Sequence, residues 1–188
     1  MKTSQNSRML SITLLLLLSI FFSGCWSYIS KEAQQTFNNH EGPISLTIYP
    51  VNIVKCESIE NDRDLAMQVK KFMQKENMAD AVIAENAAQI SFEWEINQAK
   101  MCQQSAIAFA RVVKEDAIQT EYALLVEILC NANETGVGGV HFYLCDRNGQ
   151  LANGSLTNSH WEEFKDIKPH DRDGGIEVAL RMLSNNWK

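Results

Sequence analysis

The sequence has little positive charge and no basic cluster. Its 188 residues include 17 Lys and Arg against 23 Asp and Glu, which gives a formal net charge of −6. A protein that binds nucleic acid through the phosphate backbone needs a basic patch that neutralises the phosphates. The composition therefore predicts no nucleic-acid partner.

The motifs that carry catalytic or cofactor chemistry are also missing. No two cysteines have C-x-x-C spacing, the histidines form no H-E-x-x-H motif, and no G-x-S-x-G element occurs. The stretch "GVGG" is followed by neither a helix nor a Lys-Ser/Thr pair, which argues against a phosphate-binding loop. The sequence thus predicts no enzyme, no metal site and no cofactor.

One long apolar run does occur, and it lies at the amino terminus. Residues 9–22 are apolar except for three hydroxyl residues, and Lys2 and Arg8 precede them without an acid. This run is short for a membrane span of about 20 residues, but it fits the apolar core of a signal peptide. It ends in Ser23-Gly24-Cys25, where two small residues make a cleavable site before a cysteine.

The ending Phe22-Ser23-Gly24-Cys25 resembles the bacterial lipoprotein signal, or lipobox, although Phe22 stands where Leu is commonest. The resemblance implies cleavage after residue 24 and acylation of Cys25, with palmitate among the attached chains. More than one acyl chain makes anchoring stable, because each buried methylene contributes about 0.8 kcal/mol. Trp26 replaces the aspartate that retains such proteins at the inner membrane. This implies the periplasmic face of the outer membrane, rather than the inner membrane or the cell surface.

The alternatives are an uncleaved signal anchor and ordinary secretion with cleavage nearby. Under the lipoprotein interpretation, loss of the signal peptide, residues 1–24, leaves 164 residues with 15 basic against 23 acidic ones. The mature formal charge is then −8. Anionic headgroups repel such a protein, so the lipid must provide the attachment to the membrane.

Four cysteines remain once Cys25 is assigned to the anchor. An even number in an exported protein permits two disulfides with three possible connectivities. Buried thiols are the alternative. The four candidates are Cys56, Cys102, Cys130 and Cys145.

The mature chain divides into a tether and one domain. Residues 25–43 are polar and weakly periodic and end in Gly42-Pro43, which predicts a tether that holds the domain off the membrane. A short helix packed on the domain is the alternative for part of this stretch. Residues 44–188 form the predicted domain.

Within the domain, alternating apolar residues predict strands, and apolar residues at helical spacing predict helices. Pro50 breaks the first strand or confines it to an edge. The predicted helices cover residues 62–77, 97–114 and 171–187, the last capped by Asp171 or Asp173. The predicted strands cover residues 44–54, 79–85, 89–97 (or a lead-in to the next helix), 120–130, 140–146 and 150–157.

The last three strands form an antiparallel meander. Asn148-Gly149 supplies the two positive-φ residues that a type I′ turn needs, so a hairpin is predicted there. If both long strands turn their even-numbered residues to the core, the numbers of two residues directly opposite each other in the antiparallel pair add up to an even number. Cys130 and Cys145 therefore face opposite sides, and a direct disulfide would need a bulge.

This order of elements predicts an α+β fold, a two-layer sandwich with a mixed sheet of about five strands and helices packed on one face. It resembles the periplasmic α/β domains of the curli-export lipoprotein, of the lipoproteins that activate penicillin-binding proteins, and of the amino-terminal domain of the Tol translocation protein. The resemblance covers most of residues 44–187. It implies a non-enzymatic module that binds other envelope proteins.

The rival hypothesis is a small-molecule or metal-binding lipoprotein, or a hydrolase that uses the loop at 160–170. That loop holds one local cluster of residues of the types that bind metals. The alternative interpretation is a solvated loop in which Trp161 and Phe164 pack on the domain. The cluster is His160, Glu162, Glu163 and His170.

Overall fold

Seven strands form one mixed sheet in the computed structural model, which describes residues 28–91, 97–131, 133 and 135–187. Cys25 and most of the strand predicted at 89–97 lie outside these residues. The strands are β1 (Ile44–Ile48), β2 (Val51–Val54), β3 (Ile59–Asp62), β4 (Ala79–Ile83), β5 (Tyr122–Cys130), β6 (Val137–Asp146) and β7 (Leu151–Asn158).

The predicted break at Pro50 divides one long strand into β1 and β2. Both halves run parallel to β5 along the same side, β1 beside residues 122–124 and β2 beside residues 127–129. β4 lies outside β1 as a parallel partner, and β3 lies outside β2 as an antiparallel partner. On the other side of β5, the antiparallel β6 and β7 complete the predicted meander. The seven strands therefore occupy five positions across the sheet.

β5 is the central strand, and both of its faces are buried. Leu124, Val126 and Ile128 point into the larger apolar cluster, whereas Ala123 and Leu125 point into a second cluster on the opposite face. In the β5–β6 register Leu124 lies opposite Leu144, so the numbers of the two opposite residues add up to an even number, as predicted.

The helices are α1 (Lys31–Asn38), α2 (Arg63–Lys75), α3 (Gln98–Asp116), α4 (Glu162–Ile167) and α5 (Arg172–Asn186). The predicted α+β class with a mixed sheet is confirmed. Helices α1, α2, α4 and α5 share one face, as expected, through the larger cluster. α3 covers the other face, where Cys102, Ala106, Phe109 and Val113 pack on β5 and β6. This helix adds a third layer over part of the sheet.

The amino-terminal segment corrects the predicted tether. Residues 31–38 form α1 instead, which Ser30 caps through a bond from the Ala33 backbone N–H. Phe37 is fully buried and contacts the rings of Tyr122 and Trp187 edge to face. The alternative of a short helix packed on the domain therefore holds for this stretch, and the fold begins well before residue 44.

The hairpin at 146–151 is confirmed, but its predicted turn type is wrong. Only Gly149 has a positive φ, of 72°, and Asn148 does not. The Asp146 side chain accepts bonds from the Asn148 and Gln150 backbone N–H groups and fixes a wider turn. A Cβ at Gly149 would lie 2.3 Å from the Ala110 carbonyl oxygen, so glycine also permits the turn to approach α3.

Two further elements differ from the sequence prediction. β3 was not predicted, because Ile59-Glu60-Asn61-Asp62 has one apolar residue. Residues 162–167, predicted as loop, form α4, which buries Phe164 and leaves Trp161 53% exposed. The last helix is capped by Asp171, one of the two predicted caps.

Candidate functional site

A buried polar network lies between the sheet and α3. Glu127 projects from β5 on the same face as Leu125 and Leu129, and it is only 1% exposed. Tyr143 and His141 reach it from the adjacent strand β6, and both are fully buried. Asn52 reaches it from β2, which pairs with β5 at this point. The sheet register thus brings four polar side chains together.

The Tyr143 hydroxyl joins the network's acid to its histidine. It donates to Glu127 Oε2 at 2.8 Å and lies 2.9 Å from His141 Nδ1. Because the hydroxyl proton is used on Glu127, the histidine must donate through Nδ1–H. His141 Nε2 is buried and has no hydrogen-bond partner among the described residues.

Two asparagines extend the network to the edge of the sheet. Asn52 Nδ2 lies 3.5 Å from Glu127 Oε1, and Asn61 Nδ2 donates to Asn52 Oδ1 at 2.7 Å. The chain of contacts therefore crosses β3, β2, β5 and β6. Such a network fixes the relative register of the strands, because a slip would leave its polar groups buried and unpaired.

The surroundings keep the Tyr143 phenol neutral. Burial raises the pKa of Tyr143 well above its usual value, and the nearby Glu127 and Cys102 raise it further. Cys102, on the buried side of α3, also lies 3.7 Å from the Tyr28 hydroxyl. The site can hold a proton between Glu127 and Tyr143, but its members have no exposed surface that a substrate could contact.

The sequence offered one signal for this network. Alternation along β5 places Glu127 on the opposite face from Leu124, Val126 and Ile128, and α3 covers that face. Leu125 and Leu129 lie on the same side, and a glutamate between two such residues in a nine-residue strand indicates a buried acid. Asn52, between Val51 and Ile53 in β2, is a matching signal.

The predicted cysteine sites fall on different faces of the sheet. Cys130 packs against the larger cluster, whereas Cys102 and Cys145 belong to the cluster under α3, so Cys130 and Cys145 face opposite sides, as expected. Cys56 is half-buried after β2. Cys145 is present as a thiol, and burial raises the pKa of that thiol above its usual value. Disulfide pairing stays a prediction.

The 160–170 segment does not form a converging site. His160, Glu162 and His170 are exposed, and Glu163 accepts a bond from Asn185 Nδ2. In the part of the chain that the structure describes, no group of three or more His, Cys, Asp or Glu residues is arranged to hold a metal ion. No helix in that part is long and apolar enough to cross a membrane.

An acidic groove opens beside the carboxyl end of α3. It consists of two adjoining cavities of about 220 and 440 Å³, which share Asn86 and Asp116. The Tyr49 hydroxyl donates to Asp116 Oδ2 at 2.6 Å, and burial together with this carboxylate raises the pKa of Tyr49. Glu85 and Glu115 complete the acidic lining, which complements a basic ligand.

The fold and the buried network define an α+β domain with a mixed sheet. No protein-family model and no curated protein matches the sequence. Among solved structures, the chain is similar to the LpoB C-terminal domain from Salmonella enterica, at 13% identity and a TM-score of 0.37, over 66% of this chain and 90% of that one. It is also similar to the LpoB C-terminal domain from Escherichia coli, at 14% identity and a TM-score of 0.30, over the same 66% and 90%.

Proposed function

We propose that the mature protein is a lipid-anchored, non-enzymatic interaction or assembly module on the periplasmic face of the bacterial outer membrane. The lipobox ending in Cys25 supports the anchor. One structural observation carries the non-enzymatic part. The groups best suited to chemistry are enclosed between the sheet and α3, and at most 1% of each residue is exposed. They are Glu127, Tyr143, His141 and Cys102.

The surface offers a binding face instead. The acidic groove places Glu85, Glu115 and Asp116 beside exposed amide side chains at Asn86 and Gln89. Carboxylates and amides of this kind bind basic and polar side chains of a partner and steer its approach. We assign the groove to a basic segment of another envelope protein.

The anchor is tested by replacing the acylated cysteine. We expect Cys25→Ser to abolish labelling by a fatty-acid analogue and to release the protein from membranes. Cys56→Ser removes a different thiol, half-buried in the domain, and should leave both properties unchanged. Membrane association that persists in Cys25→Ser would show that the lipobox interpretation is wrong.

The interaction is tested with a photo-reactive residue in the groove. Placed at exposed Gln89, it should crosslink in cells to an envelope protein, whereas the same residue at exposed Lys71 on α2 should not. Charge reversal at Glu85 and Glu115 should reduce the product. Equal crosslinking from both positions, or no product at Gln89, would contradict the groove as the binding face.

A further inference from the structure

Helix α3 exposes a basic stripe. Residues spaced by three or four positions lie on one side of a helix, so five exposed α3 residues fall within an arc of about 80°. Ile107, at the centre, is 43% exposed. The stripe contains three cations and no acid, in a protein whose overall charge is negative. We call these residues the α3 stripe: Lys100, Gln103, Ile107, Arg111 and Lys114.

The chain leading to Cys25 reaches the domain on the face of the sheet that α3 covers, next to the turn before β7. Tyr28 contacts Cys102 of α3, and the Ser30 backbone N–H donates to the Leu151 carbonyl oxygen at the start of β7. The turn before β7 lies against Lys114, because a Cβ at Gly149 would be 3.2 Å from Lys114 Cβ. Arg147 is exposed in the same turn, two residues before Gly149, and its backbone N–H donates to the Glu121 carbonyl oxygen.

The distance from the anchor to the domain is short. Cys25 precedes Tyr28 by three residues, which span at most about 10 Å when extended. If Cys25 carries acyl chains in a bilayer, as the proposed function has it, the surface beside Tyr28 is held at the level of the lipid headgroups. A cationic surface with an exposed isoleucine suits that position, since basic residues bind anionic headgroups and apolar ones enter the interface.

We propose that the α3 stripe, together with Arg147, docks on anionic phospholipid headgroups and fixes the orientation of the anchored domain. The inference rests on the proposed lipid anchor. Asp116, which lines both cavities of the acidic groove, lies nine positions after Ile107 and therefore on the opposite side of α3, whereas Glu115 flanks the stripe beside Arg111. The same docking therefore turns Asp116 away from the anionic surface. The domain is thereby held with its proposed binding face open to a partner.

The test measures how fast an amine-specific, membrane-impermeant reagent acylates Lys114. The full-length lipidated protein is reconstituted into vesicles of phosphatidylcholine alone, or of equal parts phosphatidylcholine and phosphatidylglycerol. We expect acylation of Lys114 to be roughly fivefold slower on the anionic vesicles. Lys75, on α2 at the opposite face of the sheet, is the internal reference and should react equally on both.

Matched charge reversals make the result specific. Arg111→Glu with Arg147→Glu should restore the rate at Lys114, whereas Lys70→Glu with Lys71→Glu makes the same charge change on α2 and should not. Vesicle-bound protein with equal Lys114 rates on both lipids would overturn the docking and leave the anchor intact. Protection of Lys114 that appears only in whole cells would assign the stripe to a protein and overturn the lipid assignment. Failure to associate with either vesicle would overturn the anchor and, with it, the docking.

Discussion

The Tyr143 hydroxyl serves two buried neighbours, because it donates to Glu127 and lies within bonding distance of His141 Nδ1. Removing one partner from a buried hydrogen bond leaves the other unsatisfied, and that desolvation accounts for most of the cost. The stability of this network therefore depends on how much water each remaining group can reach.

We expect Tyr143→Phe to lower the free energy of unfolding by about 1–3 kcal/mol, because Glu127 and His141 both lose a partner away from water. Tyr49→Phe removes the same atoms beside exposed Asp116, which water can then solvate, and should cost only about 0.5–1.5 kcal/mol. Urea unfolding measures both changes in the free energy of unfolding, compared at the same m-value. A smaller loss at Tyr143 than at Tyr49 would contradict the network's role.

The environment of single residues was harder to predict from the sequence than the secondary structure or the fold class. The cap Asp171, the break at Pro50 and the opposite orientations of Cys130 and Cys145 follow from local rules, and the structure confirms them. The burial of Glu127 was missed, because alternation along a strand does not say whether a helix covers its second face.

Helix α1 is the element for which sequence and structure differ most. Its eight residues include only Ala33 and Phe37 as buried positions, so its periodicity is too weak to distinguish it from a polar tether. What fixes it is the pocket between Tyr122 and Trp187 that receives the Phe37 ring. Those two residues come from β5 and the end of the chain, and only folding brings them together.

We expect Phe37→Ala to lower the free energy of unfolding by about 3–5 kcal/mol, as loss of a fully buried aromatic ring usually does. Thr36→Ala, on the exposed side of the same helix, should change it by about 0.5 kcal/mol or less. Thermal or urea unfolding compares the two variants. If residues 31–38 acted as a tether, both variants would unfold like the unmodified protein.

The whole molecule holds several acidic protons away from water. Burial raises the pKa values of the Tyr143 phenol, the Cys145 thiol and the Tyr49 phenol. In the unfolded chain these groups lose their protons between about pH 8.5 and 10, whereas the folded protein retains them. The unfolded state then binds fewer protons, so the free energy of unfolding falls as the pH rises.

Stability should accordingly be unaffected by these groups below about pH 8 and decline above about pH 9, with a limit of about 1.4 kcal/mol per pH unit for each group. Urea midpoints between pH 7 and 11 measure this decline. Tyr143→Phe removes one of the groups and should make the slope above pH 10 shallower. A midpoint that stays constant to pH 11 would contradict the assigned directions.

The sequence by itself determined the features that local chemistry controls, namely the periods of α2, α3, α5 and the meander, and the α+β class. The lipobox at Cys25 stays a prediction from the sequence. Tertiary structure alone decided that α3 covers the second face of the sheet and that α1 belongs to the domain. It also decided that Glu127, Tyr143 and His141 meet. These outcomes depend on contacts between segments far apart in the chain, because burial and charge pairing depend on what packs against a residue and not on its neighbours in sequence.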